Sequence, residues 1–133
     1  MILGIGIDLC GVARIRKSAT GLGAAWARLL FTDEEQIQHQ LHGDPVRQMA
    51  KAFCAKEAAA KALGKGLADG VSWHDIELLD ADVIPQLRLS GGAAQTLEIM
   101  IPPGWRPLLH VTTSCDETLA QALVVISALP EGP

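Results

Sequence analysis

The chain has 133 residues, of which 49% are hydrophobic, and a formal net charge of −4 at pH 7. This length suits one domain with a proper core, so we predict a single domain over 1–128 and a frayed tail over 129–133. The net charge argues against general nucleic-acid binding, and no stretch is long and apolar enough to predict a membrane span.

The first predicted element is an apolar strand that delivers a carboxylate at its end. Residues 2–7 read I-L-G-I-G-I, and Asp8 follows. The charge of Asp8 interrupts the apolar run, and no basic segment precedes it, so we do not expect a signal peptide. Gly4 and Gly6 indicate that another backbone passes close to the strand.

Basic residues collect in the helical segment that follows, predicted over 12–19 and 24–30 around a glycine break at 21–23. They are Arg14, Arg16, Lys17 and Arg28. A solvated helix face is the simpler interpretation, and a local anion-binding cluster is the alternative. Thr32 and Glu35 then fit a capping box that opens another short helix.

The longest predicted helix extends from Val46 to about Leu63, is rich in alanine and ends at Gly64. Small side chains let neighbours approach its backbone, so we predict that it is the central buried helix. Glu57 and Lys61 are four residues apart and share one face. On an exposed helix they would be an ordinary surface pair, but unpaired charge in a buried helix is costly, which favours a functional site.

Strands dominate the second half of the sequence. They are predicted over 76–79, 87–89, 110–113 and 119–126, with a helix over 93–99. Hairpin connections, in place of repeated β-α-β units, predict an α+β fold with a mainly antiparallel sheet packed around the alanine-rich helix.

Two carboxylates are the main candidates for chemistry. If the first strand lies beside the alanine-rich helix, Asp8 and Glu57 become two oxygen ligands for one magnesium ion, which keeps waters and substrate phosphates as its other ligands. Lys61 would then reach a phosphate oxygen. The alternative for Asp8 is a helix cap. His110 opens a strand, where a lone histidine is more often packed than catalytic.

The cysteines indicate the redox state of the compartment and argue against one kind of metal site. Cys10, Cys54 and Cys115 are odd in number and show no C-x-x-C spacing. This predicts a reducing compartment, which we take to be the cytoplasm, and argues against a zinc site.

Five motifs in order resemble the holo-acyl-carrier-protein synthase family. They are G-I-G-I-D at 4–8, R-I-R-K at 14–17, F-C-A-K-E-A-A-A-K-A-L-G at 53–64, G-V-S-W-H-D-I-E at 70–77 and H-V-T-T-S at 110–114. Each motif is weak alone, but the ordered set is specific and the resemblance extends to about Ser127. It implies a 4′-phosphopantetheinyl transferase fold. It also implies transfer of the phosphopantetheine arm of coenzyme A to a serine of an apo acyl carrier protein, with release of 3′,5′-ADP.

The resemblance also assigns roles at the chemical centre. It implies that Asp8 and Glu57 hold magnesium against the coenzyme A pyrophosphate, and that Glu57, Lys61 and His110 are catalytic. Coenzyme A would be bound by basic side chains and a histidine: Lys56, Lys61, Lys65 and His110. Glu57, a water molecule on the metal or His110 could accept the serine proton, and the sequence leaves the choice open.

The same resemblance implies the partners. The basic first helix would dock the acidic carrier protein through Arg14, with Arg16, Lys17 and Arg28 as neighbours. Similar proteins are homotrimers with sites between subunits, and they act in fatty acid biosynthesis. Which carrier this chain serves, fatty-acid or secondary-metabolic, stays open, as does the use of acylated coenzyme A.

Two positions depart from the family pattern. Ala52 stands where relatives usually have a coenzyme A-binding arginine before the residue matching Phe53, and Lys51 or Lys56 is a candidate to compensate. Cys115 stands where many relatives have a second histidine. An alternative function is therefore a non-catalytic, carrier-binding module that has lost coenzyme A affinity. A magnesium-dependent nucleotide phosphotransferase or hydrolase is disfavoured, since the sequence has no P-loop.

Overall fold

The computed structural model describes residues 1–67, 69–79 and 81–132. Helices and strands both contribute, as predicted for an α+β fold. Their bounds are β1 Ile2–Gly11, α1 Val12–Leu30, α2 Asp33–Gln40, α3 Pro45–Leu63, a 3₁₀ turn at Trp73–Asp75, β2 Ile76–Leu79, β3 Gln86–Leu89, α4 Gly91–Met100, β4 Trp105–Cys115 and β5 Leu119–Pro130.

The strands form two antiparallel sheets. The larger sheet has the order β1-β5-β4, and β2 and β3 form a separate hairpin. In the central strand β5, alternate residues from Ala120 to Ala128 are buried against α3, while their neighbours face outwards. The larger sheet thus has an inner face, which packs on α3, and an outer face. The prediction of a mainly antiparallel α+β fold around the alanine-rich helix is confirmed.

Glycine allows β1 to lie directly on the backbone of α3. A Cβ atom at Gly6 would be 1.8 Å from the carbonyl oxygen of Ala58, and one at Gly4 would be 2.0 Å from that of Ala62. No side chain larger than hydrogen fits at either position. The prediction that another backbone passes these two glycines is confirmed, and this contact fixes β1 against the second half of α3.

The helices follow the predicted signals. Thr32 accepts the backbone N–H of Glu35, whose side chain accepts that of Thr32, so the capping box is confirmed. The end of α3 at Gly64, with φ of 73°, is also confirmed. The predicted break in α1 is confirmed as well: the backbone is non-helical at Gly23, where φ is 64° and ψ is −144°, and two helical segments meet there at a kink.

Strands β1, β3, β4 and β5 extend beyond their predicted limits. β1 continues past Asp8 to Gly11, so Asp8 lies inside the strand. The tail prediction is wrong at its first two residues, because Leu129 pairs with Arg106 and Pro130 with Trp105. Pairing between the two long strands β4 and β5 extends the sheet into the segment that was predicted to fray because it is terminal. The tail's last residue, 133, lies outside the described residues, and among those described no helix has the length and hydropathy to cross a membrane.

Candidate active site

The β1–α3 contact brings Asp8 and Lys61 together. Asp8 pairs with Ala122, a buried residue of the inner face, so its side chain also points towards α3. The Lys61 ammonium lies 3.1 Å from Asp8 Oδ1 and donates to the Ile7 carbonyl at 2.9 Å. Asp8 of β1 and Lys61 of α3 are therefore in direct contact.

Glu57 lies one helical turn before Lys61 and belongs to the same group. Burial raises the pKa of the Glu57 carboxyl, and the negative charge of Asp8 raises it further, while Lys61 and Arg14 oppose the shift. The two carboxylates therefore lie close enough to repel each other. A group that concentrates negative charge in this way is suited to bind a cation or to accept a proton.

The available ligand residues suit magnesium better than a metal whose ligands all come from the protein. Within the described residues, no group of three or more His, Cys, Asp or Glu side chains is placed to hold a metal ion. Asp8 and Glu57 supply two carboxylates, and magnesium is usually held by one or two carboxylates together with waters and substrate phosphates. The residues present fit a magnesium ion that arrives with a phosphate-bearing substrate.

The expected contact between Lys56 and coenzyme A is wrong. The Lys56 side chain is 0% exposed, and its ammonium lies 2.6 Å from Glu35 Oε1. It also donates to the backbone carbonyls of Trp73 and Ile76. Lys56 and Glu57 are adjacent in sequence but point to different sides of α3. Lys56 is therefore part of the protein interior, where it pairs with Glu35. Lys65, by contrast, is exposed just beyond the end of α3 and remains a predicted ligand.

His110 lies on the opposite face of the larger sheet from Asp8. It pairs with Val125, whose side chain is on the outer face, and its Nε2 lies 3.3 Å from Ser127 Oγ on that face. Asp8 points to the inner face. Within one chain, His110 therefore does not join the group formed by Asp8, Glu57 and Lys61.

The four basic residues predicted to bind a partner do not form one cluster. Arg14, Arg16 and Lys17 occupy the first turns of α1, whereas Arg28 lies in its last turn, beyond the kink. Arg14 lies over the Phe53 ring at 5.7 Å. Arg16 forms an ion pair with Asp44 at 3.0 Å, and Lys17 lines a groove beside Arg16. Arg14 acts on the candidate site, because its charge lowers the pKa of Glu57.

Ala52 is buried and lines a cavity of about 300 Å³. The same cavity is lined by Gln48 and Asp82. Lys51, a candidate to compensate for the missing arginine, is paired with Asp82 at 2.7 Å. Its charge is thus already balanced in the described structure.

Two contributors were not predicted from the sequence. Phe53 stacks on Trp73, with ring centroids 5.4 Å apart, and so forms an aromatic surface beside Arg14. Its position four residues before Glu57 on one helix could have indicated this. Glu35 was identified only as a capping residue, and no sequence signal connected it to Lys56.

The chain is similar to known proteins over nearly its whole length. Residues 4–101 match a family model described as the 4′-phosphopantetheinyl transferase superfamily. A holo-[acyl-carrier-protein] synthase from Methylobacterium nodulans is 46% identical over 132 residues, covering 98% of this chain and 100% of that protein. One from Rhizobium leguminosarum bv. trifolii is 43% identical, covering 98% of each.

Solved structures agree with the sequence relatives. The crystal structure of holo-[acyl-carrier-protein] synthase from Neisseria meningitidis has a TM-score of 0.82 and 34% identity, covering 96% of this chain and 99% of that one. The Helicobacter pylori enzyme, crystallised in complex with coenzyme A, has a TM-score of 0.76 and 27% identity, covering 92% and 99%.

Proposed function

The chain belongs to the 4′-phosphopantetheinyl transferase superfamily, and we propose that it transfers the 4′-phosphopantetheine group of coenzyme A to a serine of an apo acyl carrier protein. The second product is 3′,5′-ADP. The observation that carries this proposal is the grouping of Asp8, Glu57 and Lys61 at the β1–α3 contact. The two carboxylates would hold a metal ion, and the Lys61 ammonium supplies a second positive charge, so that both can act on one pyrophosphate.

Asp8 and Glu57 are the residues proposed to hold magnesium. A bound ion would supply positive charge to offset the negative charge on the pyrophosphate oxygens. Lys61, which now neutralises Asp8, is 53% exposed at its side chain and free to turn towards a phosphate oxygen. Its role is electrostatic and positional, as is usual for catalysis of phosphoryl transfer.

The serine hydroxyl must lose a proton as it attacks the phosphorus that bears the pantetheine arm. Within one chain Glu57 is a candidate acceptor, although its raised pKa belongs to the metal-free site and a bound cation would lower it. His110 faces the other side of the sheet and could serve only in a site shared with a second subunit.

A homotrimer with such shared sites is supported by the outer face of the larger sheet. Ile5, Ile7 and Leu9 are 58%, 61% and 59% exposed, and Leu123 of the central strand is 37% exposed. A continuous apolar surface of this kind marks an interaction site, and closed symmetric assembly would cover it. His110 lies on this same face, so assembly through it would place His110 at or near a subunit interface.

Mass spectrometry of an apo carrier protein incubated with the chain, coenzyme A and magnesium tests the transfer. We expect a gain of one phosphopantetheine, abolished by a chelator. Asp8→Asn and Glu57→Gln should each slow the reaction at least about 100-fold. Glu98→Gln, which removes an exposed carboxylate on α4, is the matched control and should retain activity. Turnover like the wild type in both site variants would exclude the metal site.

Mixing two inactive variants tests the shared site. Glu57→Gln and His110→Ala should each form trimers of low activity, as measured by sedimentation and by carrier modification. Trimers reassembled from both variants should regain part of the activity, because some interfaces then combine an intact Glu57 with an intact His110. No recovery would place both residues' functions within one subunit.

The rival is a carrier-binding module without coenzyme A affinity, which the alanine at position 52 and the occupied Lys51 charge favour. Calorimetry with coenzyme A, with and without magnesium, separates the two, since such a module would show no binding. We also propose a cytoplasmic location, which the free state of Cys10, Cys54 and Cys115 supports.

A further inference from the structure

Two of the three cysteines meet at the β1–α3 contact. The Cys54 thiol lies 3.1 Å from the sulfur of Cys10 and 3.4 Å from the Ala120 carbonyl oxygen. Cys10 in turn lies 3.7 Å from the carbonyl oxygen of Ala50. Neither thiol takes part in the transfer chemistry proposed above.

The same backbone contact that forms the candidate site brings these sulfurs together. Cys10 lies on the inner face of β1, two residues after Asp8, and Cys54 lies on α3 three residues before Glu57. The glycines of β1 let α3 approach closely, so the two elements are held side by side at this point. A disulfide has sulfurs about 2.05 Å apart. The pair at 3.1 Å thus needs a closure of only about 1 Å to become bonded.

We propose that Cys10 and Cys54 are a reversible oxidation site, which a hydroperoxide converts into a disulfide that lowers the activity of the neighbouring site. The effect on activity rests on the function proposed above, whereas disulfide formation does not. Cys10 is 5% exposed and Cys54 is 0% exposed, so a small oxidant meets Cys10 first.

The chemistry balances in two steps. The Cys10 thiol reduces the peroxide O–O bond, and for hydrogen peroxide the products are a Cys10 sulfenic acid and one water. The Cys54 sulfur then attacks the Cys10 sulfur, the S–O bond breaks, and the hydroxyl leaves with the Cys54 proton as a second water. The two thiols lose two electrons and two hydrogens to the peroxide. A thiol reductant reverses the product to two thiols.

The disulfide would lower activity by displacing the residues of the neighbouring site. It joins β1 to α3 beside the two proposed metal ligands, two residues after Asp8 and three residues before Glu57. A displacement of about 1 Å can cost on the order of 100-fold in rate. We therefore expect the bond to reduce turnover at least about tenfold.

The test uses the Cys115→Ala protein, which keeps only the two cysteines of interest. After reduction and removal of reductant, it is treated with hydrogen peroxide, alkylated and digested. We expect a linked peptide pair containing Cys10 and Cys54, a mass lower by two hydrogens, and a loss of carrier modification that dithiothreitol restores. Cys54→Ala is the matched control, since alanine fits this buried helix, and it should show neither the link nor a reversible loss.

The outcomes separate this inference from the proposed function. If the reduced protein modifies a carrier but both thiols stay open to alkylation after peroxide, the oxidation site is excluded and the transferase stands. If the linked peptide forms but the reduced protein transfers nothing, the oxidation site stands and the transferase falls. A link without loss of activity overturns the regulatory part.

Discussion

Lys56 and Glu35 form an ion pair of 2.6 Å in which neither side chain is exposed. The pair connects α3 to α2, and Glu35 extends the connection by accepting the backbone N–H of Leu78 in β2 at 3.2 Å. Each buried charge depends on the other, because an unpaired charge in the interior is far more costly than an unpaired charge at the surface.

Replacing Lys56 with methionine should destabilise the protein severely. The change leaves Glu35 buried without its cation, and breaking such a pair costs about 3–5 kcal/mol. Urea unfolding of Lys56→Met measures the effect. Arg16→Met is the control, because its pair with Asp44 has side chains 51% and 39% exposed and should contribute less than about 1 kcal/mol. Equal losses in both variants would mean that the buried pair has no special role.

Lys56 also shows where sequence reasoning reached its limit. Its neighbour Glu57 was correctly associated with Lys61, since four residues on a helix define one face. Lys56 points to a different side of α3, and its partner Glu35 lies 21 residues earlier in the chain. Local spacing gives no information on such a contact, which depends on how α2 packs against α3.

Other features also divide into those that are visible in the sequence and those that depend on packing. The close backbone approach at Gly4 and Gly6 was predictable, because an absent side chain is visible in the sequence itself. The face on which His110 lies was not, because it depends on the register between β4 and β5. The interruption of α1 was predictable for the same reason as the close approach at Gly4 and Gly6, because its glycines are visible in the sequence, and it lies at Gly23.

His39 should make the stability of the fold depend on pH. It is 4% exposed, its Nδ1 has no hydrogen-bond partner among the described residues, and burial lowers its pKa from 6.5 to about 4, with the charge of Lys56 adding to the shift. Below pH 6.5 the unfolded chain binds a proton that the folded chain does not bind until about pH 4. The stability due to neutral His39 is therefore complete above pH 6.5 and lost as the pH falls to about 4.

Urea unfolding at several pH values measures this effect. The free energy of unfolding should fall by up to about 3 kcal/mol across that range because of His39 alone. His39→Leu keeps an apolar side chain beside Phe31 and should show a shallower pH dependence by this amount. Parallel curves for the wild type and the variant would contradict the prediction.

Gly6→Ala should disturb both the fold and the site. The new methyl group would lie 1.8 Å from the Ala58 carbonyl oxygen, and a backbone atom cannot move aside as a flexible side chain can. We expect a loss of about 2 kcal/mol or more in stability, together with slower carrier modification as β1 shifts from α3. Gly11→Ala is the control, because no atom of the residues that the structure describes lies within 4 Å of its Cβ position. Similar effects in both variants would show that the close contact is unimportant.

Arg14→Glu should weaken carrier docking more than coenzyme A binding. Arg14 lies in the first turn of α1, over Phe53, and its charge already acts on Glu57. An acidic carrier would therefore meet this cation next to the proposed reaction centre, and charge reversal should raise the carrier KM. Because part of the attraction is lost, the KM should also depend less on salt concentration.

Arg28→Glu makes the same change of charge at the far end of α1, beyond the kink at Gly23. If docking uses the local cluster of Arg14, Arg16 and Lys17, Arg28→Glu should alter the carrier KM much less than Arg14→Glu does. Equal increases in KM would indicate attraction by the total charge of the chain, and an unchanged KM in Arg14→Glu would exclude this docking surface. Coenzyme A affinity, measured by calorimetry on both variants, separates docking from damage to the site, because a docking defect leaves that affinity near the wild-type value.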